Sequence, residues 1–216
     1  MRTSACESGR ENVTILYEDE ALVVCCKPVG VLSAMDASQK RSMADLLAPR
    51  TVYPVHRLDR DVSGVMVFAK TAACAAFLSG HMEQFQKEYL AICEAAPPAS
   101  EGQLCDLLFH DRSRNKTYVV GRKRGGVREA RLAYRVKHVF SDGRALIEVR
   151  LFTGRTHQIR VQFASRGCPL CGDKKYGASS GGQLGLCAYR LRFPHPNGQT
   201  LSFALPDDLL PLEFEV

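Results

Sequence analysis

A carboxylate flanked by cations stands in residues 53–64, whose sequence is YPVHRLDRDVSG. Asp59 lies between Arg57 and Arg60, and two neighbouring cations favour the ionised form of a carboxyl group. An ionised carboxylate suits nucleophilic attack or the electrostatic stabilisation of a transition state better than it suits proton donation. Because an apolar run follows at residues 65–69, the segment is predicted to be a charged loop held in place by a buried strand.

The same residues have two other interpretations. They could form a solvated loop of ion pairs, and exposed pairs contribute only about 0–1 kcal/mol. Asp59 and Asp61 could instead bind the metal ion of a nuclease, although the flanking arginines would compete with a cation. Charge alone does not decide among these possibilities.

Apolar periodicity and turn residues predict the elements that would position this loop. Strands are expected at residues 13–17, 21–26, 65–69, 87–93, 127–140, 145–152, 186–196 and 200–204, and helices at 42–47, 71–85 and 156–164. Since strands outnumber helices and hairpin signals recur, the fold class is predicted to be α+β, a mixed, largely antiparallel sheet with flanking helices. Residues 13–216 are expected to form one domain, preceded by a frayed tail at residues 1–12.

The charge distribution points to a polyanionic partner. The chain has 216 residues, a formal net charge of +6 and a pI of about 8.9. The cations concentrate between residues 112 and 135, where nine lysines and arginines face the single acid Glu129. We expect Arg122, Lys123 and Arg124 to contact a nucleic-acid backbone rather than bases. The alternative is a solvated basic hairpin.

Several classes of protein are disfavoured. No run of eighteen apolar residues predicts a membrane helix, and the N-terminal residues lack the apolar region of a signal peptide. The nine cysteines are odd in number and scattered, which is typical of free thiols in a reducing cytoplasm. The Cys168-Pro169-Leu170-Cys171 motif has no second cysteine or histidine pair at zinc spacing, so no metal site is expected.

Five motifs, in order along the chain, resemble those of the RluA-type pseudouridine synthases. ILYEDE followed by VVCCKPVG resembles the opening of the family's catalytic domain, and HRLDRDVSG its HRLDRxTSG motif, with Val62 in place of threonine. GRTHQIRVQ resembles GRTHQIRVH, with Gln162 in place of histidine. GDKKYG resembles GDxxYG, and LCAYRLRFPHP resembles LHAxxLxFxHP, with Cys187 in place of histidine.

The resemblance implies isomerisation of uridine to pseudouridine in tRNA or rRNA, by a catalytic domain with a central RNA-binding cleft and no separate RNA-binding domain before it. It implies that Asp59 is the nucleophile, that Arg155 pairs with Asp59, and that Tyr89 stacks on a flipped-out base while its hydroxyl helps to remove the C5 proton. His56, Arg57 and Arg60 would contact phosphates nearby. No cofactor is implied, and a monomer is slightly favoured.

The residues themselves leave simpler roles open. Tyr89 could be a packed strand aromatic, and His56 a structural histidine with satisfied hydrogen bonds. A catalytically silent RNA-binding or chaperone module would need the basic segment but not Asp59.

Overall fold

The computed structural model describes residues 13–35, 41–210 and 214, so the tail expected at residues 1–12 lies outside the described residues. The strands are β1 (Ile15–Glu18), β2 (Leu22–Lys27), β3 (Tyr53–Pro54), β4 (Ser63–Ala69), β5 (Gln86–Cys93), β6 (Glu101–Asp111), β7 (Lys116–Val120), β8 (Val127–Val139), β9 (Ala145–Leu151), β10 (Leu186–Pro194) and β11 (Thr200–Ala204). The helices are α1 (Met43–Leu46), α2 (Ala72–Gly80) and α3 (Gln158–Ala164), with 3-10 turns at Met82–Gln84, Lys174–Tyr176 and Asp207–Leu209.

The strands form one mixed sheet in the order β1-β2-β4-β10-β5-β9-β8-β6-β7, with β3 paired to β4 and β11 to β10. β4 and β10 run parallel, and the other named pairs are antiparallel. The predicted α+β class, with a largely antiparallel sheet and flanking helices, is therefore confirmed.

Alternation along β5 divides the core between the two faces of the sheet. Tyr89, Ala91 and Cys93 contribute to one hydrophobic cluster together with Ile159 and Phe163 of α3. Leu90 and Ile92 contribute to the other, which α2 covers through Cys74 and Leu78. Successive strand side chains point to opposite faces, as the sequence predicts for this strand. We call the face of the sheet that carries Tyr89 and packs against α3 the α3 face.

Two helix predictions have different outcomes. The capping box of α1 is present, since the Ser42 N–H donates to Asp45 Oδ2 at 2.8 Å. The predicted helix at residues 71–85 is too long, because α2 ends at Gly80 and a separate 3-10 turn, Met82–Gln84, follows. Thr71 begins α2 by accepting the Cys74 N–H at 3.1 Å.

The connection between β7 and β8 crosses β6. β7 and β8 pair with the two opposite edges of β6, so residues 121–126 must cross one face of β6. Arg124 stacks on the Phe109 ring at 5.0 Å from its centroid. Asp106 and Leu108 of β6 contact α3, so their neighbour Phe109 points to the opposite face. The connection therefore packs on the face of β6 away from α3.

No helix in the described part of the chain is long and apolar enough to cross a membrane.

Candidate active site

A cavity of about 370 Å³ opens on the α3 face of the sheet. Its walls come from the loop before β4, from β5, from the connection between β9 and α3, and from the first residue of β10. Asp59, Tyr89 and Arg155 all line it, so the structure brings together the three predicted catalytic residues.

Two clamps hold the loop that carries Asp59. Ser33 Oγ donates to the Leu58 carbonyl at 2.8 Å and accepts the Leu58 N–H at 3.0 Å. On the other side, the fully buried Lys27 Nζ donates to the Arg60 carbonyl at 2.9 Å and to the carbonyls of Pro28 and Val31 at 2.8 and 2.7 Å. Asp59 is thus fixed between two backbone positions bound to the end of β2 and the segment after it.

Arg160 is the cationic partner of Asp59. Its Nη1 lies 3.1 Å from Asp59 Oδ2, while Nε and Nη2 each lie 2.7 Å from the carboxylate oxygens of Asp173. The Asp173 side chain is buried, so this second pair is a bidentate ion pair shielded from water. Arg160 is therefore preorganised, with its Nη1 nitrogen directed at Asp59.

The predicted pairing of Arg155 with Asp59 is wrong. Arg155 lines the cavity but is exposed, and its Nε donates to the Glu129 carbonyl at 3.0 Å. The position of Arg160 explains the difference: it lies inside α3, whose buried face meets the loop, whereas Arg155 precedes the helix. The two arginines belong to one motif, and the sequence does not tell which of them faces the carboxylate.

The flanking arginines do not contact Asp59 either. Arg60 forms an exposed pair with Asp61 at 2.9 Å, and Arg57 is exposed at the cavity wall. The partners expected from adjacency in sequence are thus replaced by Arg160, 101 residues further along.

His157, which the sequence analysis did not select, also faces Asp59. Its Nε2 lies 3.7 Å from Asp59 Oδ2, and its Nδ1 lies 2.8 Å from the Tyr176 hydroxyl. The Thr117 N–H donates to that hydroxyl at 2.8 Å, so the hydroxyl can donate to Nδ1 and leave the imidazole proton on Nε2. Burial lowers the pKa of His157 to about 4, against the opposing effect of Asp59, so the ring is neutral at pH 7.

Tyr89 presents its side chain to the cavity beside Asp59, with 8% of its surface exposed. Burial and then the charge of Asp59 raise its pKa well above the ordinary value. The phenol is therefore neutral at pH 7, and it is placed to act as a stacking surface or hydrogen-bond donor rather than as a phenolate.

His56 has the environment of a structural histidine. Its Nε2 accepts the Val67 N–H at 3.2 Å. Burial, followed by the charge of Lys87, lowers its pKa to about 3. A neutral ring that is already hydrogen-bonded to β4 attracts a phosphate weakly, so the structure favours a structural role for His56 over a phosphate contact.

The predicted RNA contacts at Arg122, Lys123 and Arg124 do not line the cavity. All three are exposed on the connection that packs against Phe109, on the face of β6 away from α3. The cationic segment also has more acidic partners than the local sequence suggests: Arg131 lies 3.3 Å from Glu129, Arg135 lies 3.4 Å from Glu101, and Arg114 lies 3.9 Å from Asp111.

Within the residues that the structure describes, no group of three or more histidine, cysteine or acidic side chains could hold a metal ion.

The fold and the cavity together define an α+β domain built around a carboxylate held by a buried arginine. The sequence profile of the RNA pseudouridylate synthase family matches residues 21–165. The dual-specificity RNA pseudouridine synthase RluA of Salmonella typhimurium is 31% identical over 213 residues, which cover 91% of this chain and 94% of that protein. The chain belongs to the RNA pseudouridylate synthase family, which is a family of isomerases.

Two further similarities agree with this assignment. The uncharacterized RNA pseudouridine synthase YhcT of Bacillus subtilis is 34% identical over 196 residues, which cover 84% of this chain but only 64% of that protein. The structure of human RNA Pseudouridylate Synthase Domain Containing 1 superposes with a TM-score of 0.78 at 22% identity, over 100% of this chain and 89% of that one. The second of these is a likeness of fold.

Proposed function

We propose that this protein converts uridine to pseudouridine within a tRNA or rRNA, with Asp59 as the catalytic carboxylate. The observation that carries the proposal is the pairing of Asp59 with a buried, preorganised Arg160 at the wall of a cavity that Tyr89 also lines. A cavity of about 370 Å³ falls in the usual range for small-molecule sites, about 300–1,000 Å³. It suits a single nucleotide turned out of its stack.

The isomerisation is balanced within the substrate. The N1–C1′ glycosidic bond breaks, the base turns, a C5–C1′ bond forms, and the proton on C5 is replaced by one on N1, with no oxidant or reductant. Asp59 would attack C1′ or the base, or stabilise a glycal-type intermediate, and each of these roles needs an ionised carboxylate. Arg160 keeps the carboxylate positioned during these steps.

Base flipping is the second part of the proposal. Turning a base out of its stack costs a few kcal/mol, which suits an unpaired loop or a strained stem. Tyr89 would stack on the extruded uracil, while Arg57 at the wall and the exposed Arg60 nearby would contact adjacent phosphates. Arg122, Lys123 and Arg124 would contact RNA backbone further from the reacting base. We place this activity in the cytoplasm, where the free thiols of the described cysteines would stay reduced.

Tritium release tests the proposal directly. Cellular RNA that lacks modification is labelled at uridine C5 and incubated with the protein, with a chelator present and no cofactor added. Formation of pseudouridine expels the label whatever the site. We expect the natural protein to release tritium and the Asp59→Asn variant to release none. Absence of release from both tRNA and rRNA fractions, with tight RNA binding retained, would favour the silent RNA-binding alternative.

A further inference from the structure

Lys87 is a cation on the cavity wall that the proposed chemistry does not use. It lies on β5 two residues before Tyr89, on the same face, so the two Cα atoms are separated by about 6.7 Å along the strand. Its Nζ reaches toward the connection between β9 and α3, where it would lie 3.9 Å from a Cβ on Gly154. The amine therefore points into the cavity beside the proposed position of the base.

No acidic side chain in the described part of the chain pairs with Lys87. Its Nζ lies 5.6 Å from the centroid of the Phe85 ring, near the outer limit of a cation–π interaction. Burial lowers its pKa, as expected for an ammonium group without a carboxylate beside it. A partly buried charge in this position is unfavourable until an anion joins it.

The other charged residues that line the cavity also carry more positive than negative charge. Arg57 and Arg155 line it without an acidic partner among the described residues, and the one cavity carboxylate, Asp59, is already paired with Arg160. Uracil and ribose are uncharged, so within an RNA substrate only a phosphate supplies the missing negative charge.

We propose that Lys87, together with Arg155, forms a phosphate subsite for the nucleotide that enters the cavity. This inference rests on the proposed function, since it deepens the recognition of the same nucleotide. The ammonium on the strand and the guanidinium at the mouth of the cavity would hold the phosphate of the flipped uridine, and so position its ribose C1′ against Asp59. Lys87 is in this sense a substrate-positioning residue.

Binding of uridine 5′-monophosphate and of uridine, measured by calorimetric titration at low ionic strength, tests the subsite. A hydrogen bond between charged groups contributes about 1.5–3 kcal/mol, so the natural protein should bind the monophosphate at least about tenfold more tightly than the nucleoside. Lys87→Met should reduce that preference several-fold, because Arg155 still offers a cation, and Lys87→Arg should retain it. Lys137→Met, an exposed lysine on β8, is the matched control and should also retain it. Equal binding of both ligands, no detectable binding of the monophosphate, or an unchanged preference in Lys87→Met overturns the proposal.

A second measurement needs no variant, so it stands even if Lys87→Met fails to fold. The natural protein is acetylated briefly with acetic anhydride, and each lysine is quantified by mass spectrometry. Uridine 5′-monophosphate should slow acetylation of Lys87 several-fold while uridine does not, with Lys137 as the internal reference. Equal labelling of Lys87 with either ligand contradicts the subsite. Tritium release is measured on the same preparation. If the label is released but the protein does not prefer uridine 5′-monophosphate to uridine, only the subsite is rejected. If no label is released, the proposed function is rejected.

Discussion

Asp173 determines which donor of Arg160 is available to Asp59. The Nε and Nη2 atoms of Arg160 are both bonded to Asp173 at 2.7 Å, so Nη1, at 3.1 Å, is the donor that faces Asp59 Oδ2. Because a guanidinium is planar, fixing two of its nitrogens also fixes the direction of the third. The geometry of the proposed nucleophile therefore depends on a carboxylate that does not line the cavity.

Asp59→Asn should abolish turnover while leaving RNA affinity within about twofold, because the cationic surroundings that bind the backbone survive. Tritium release and filter binding on one preparation check this. Turnover equal to that of the natural protein would remove Asp59 from the mechanism.

Asp173→Asn should lower kcat by about tenfold or more with a smaller change in KM, because Arg160 loses its bidentate partner and its fixed direction toward Asp59. Arg166→Lys is the matched control, since Arg166 also contacts a carboxylate, Asp106, but at the exposed end of α3. Kinetics must be measured well below the unfolding temperature, because breaking a buried pair costs about 3–5 kcal/mol. A loss of stability with unchanged kcat would give Asp173 a structural role alone.

Replacing Arg122, Lys123 and Arg124 together by alanine should weaken RNA binding and flatten its salt dependence. Each lost phosphate contact changes the slope of log K against log salt by about 0.7–0.9. Since none of the three lines the cavity, kcat at saturating RNA should stay unchanged. A salt slope equal to that of the natural protein would mean that this connection faces solvent only.

Stability should fall as the pH decreases from 6.5 toward 5. Burial lowers the pKa of His56 to about 3 and that of His157 to about 4, below the unfolded value of about 6.5, so the unfolded chain binds protons first. For each of the two histidines, the free energy of unfolding should fall by up to about 1.4 kcal/mol per pH unit between pH 6.5 and 5. Urea unfolding at pH 6.5, 6.0, 5.5 and 5.0 measures the slope.

The histidine variants assign that pH dependence. His56→Gln should remove about half of the slope, while His138→Gln, at an exposed position on β8, should leave it unchanged. The carboxylates of Glu18 and Glu94, whose pKa values are lowered to about 2, add their own dependence only at lower pH. A flat profile above pH 5 would contradict the assignment.

Lys27→Met should destabilise the fold by at least about 3 kcal/mol, because three carbonyls lose a charged donor inside the core. The loop around Arg60 would also lose its clamp. Lys70→Met is a suitable control, since Lys70 makes comparable bonds to Glu18 and Asp19 nearer the surface. Equal free energies of unfolding for the two variants would show that the buried bonds of Lys27 stabilise the fold no more than the bonds of Lys70 nearer the surface.

Local patterns were enough to predict most of the fold. The alternation in β5, the hairpin of β8 and β9 and the capping box at Ser42 each depend on residues close together in sequence, and each is present. Asp59 and Tyr89, selected from motifs on a loop and a strand with clear boundaries, line the same cavity, and their catalytic roles stay predictions.

The partners of Asp59 could not be predicted in the same way. Sequence adjacency suggested Arg57 and Arg60, and the resemblance suggested Arg155, whereas the cation that meets the carboxylate is Arg160. That choice depends on the direction in which α3 presents its first turn to the loop, a tertiary relation that no local pattern contains. The same applies to the segment of Arg122, whose face depends on which side of β6 the connection crosses.

The parallel pairing of β4 with β10 has a consequence for how the protein is made. Gly64, directly after the Asp59 loop, has φ +124°, and a Cβ there would collide with the backbone of Ala188. The loop therefore reaches its final position only against a strand synthesised more than a hundred residues later. Pairings between such distant segments form slowly. A nascent chain that has emerged only through α3 would hold Asp59 and Arg160 but lack β10, whose first residue lines the cavity, so catalytic competence should arise late in synthesis.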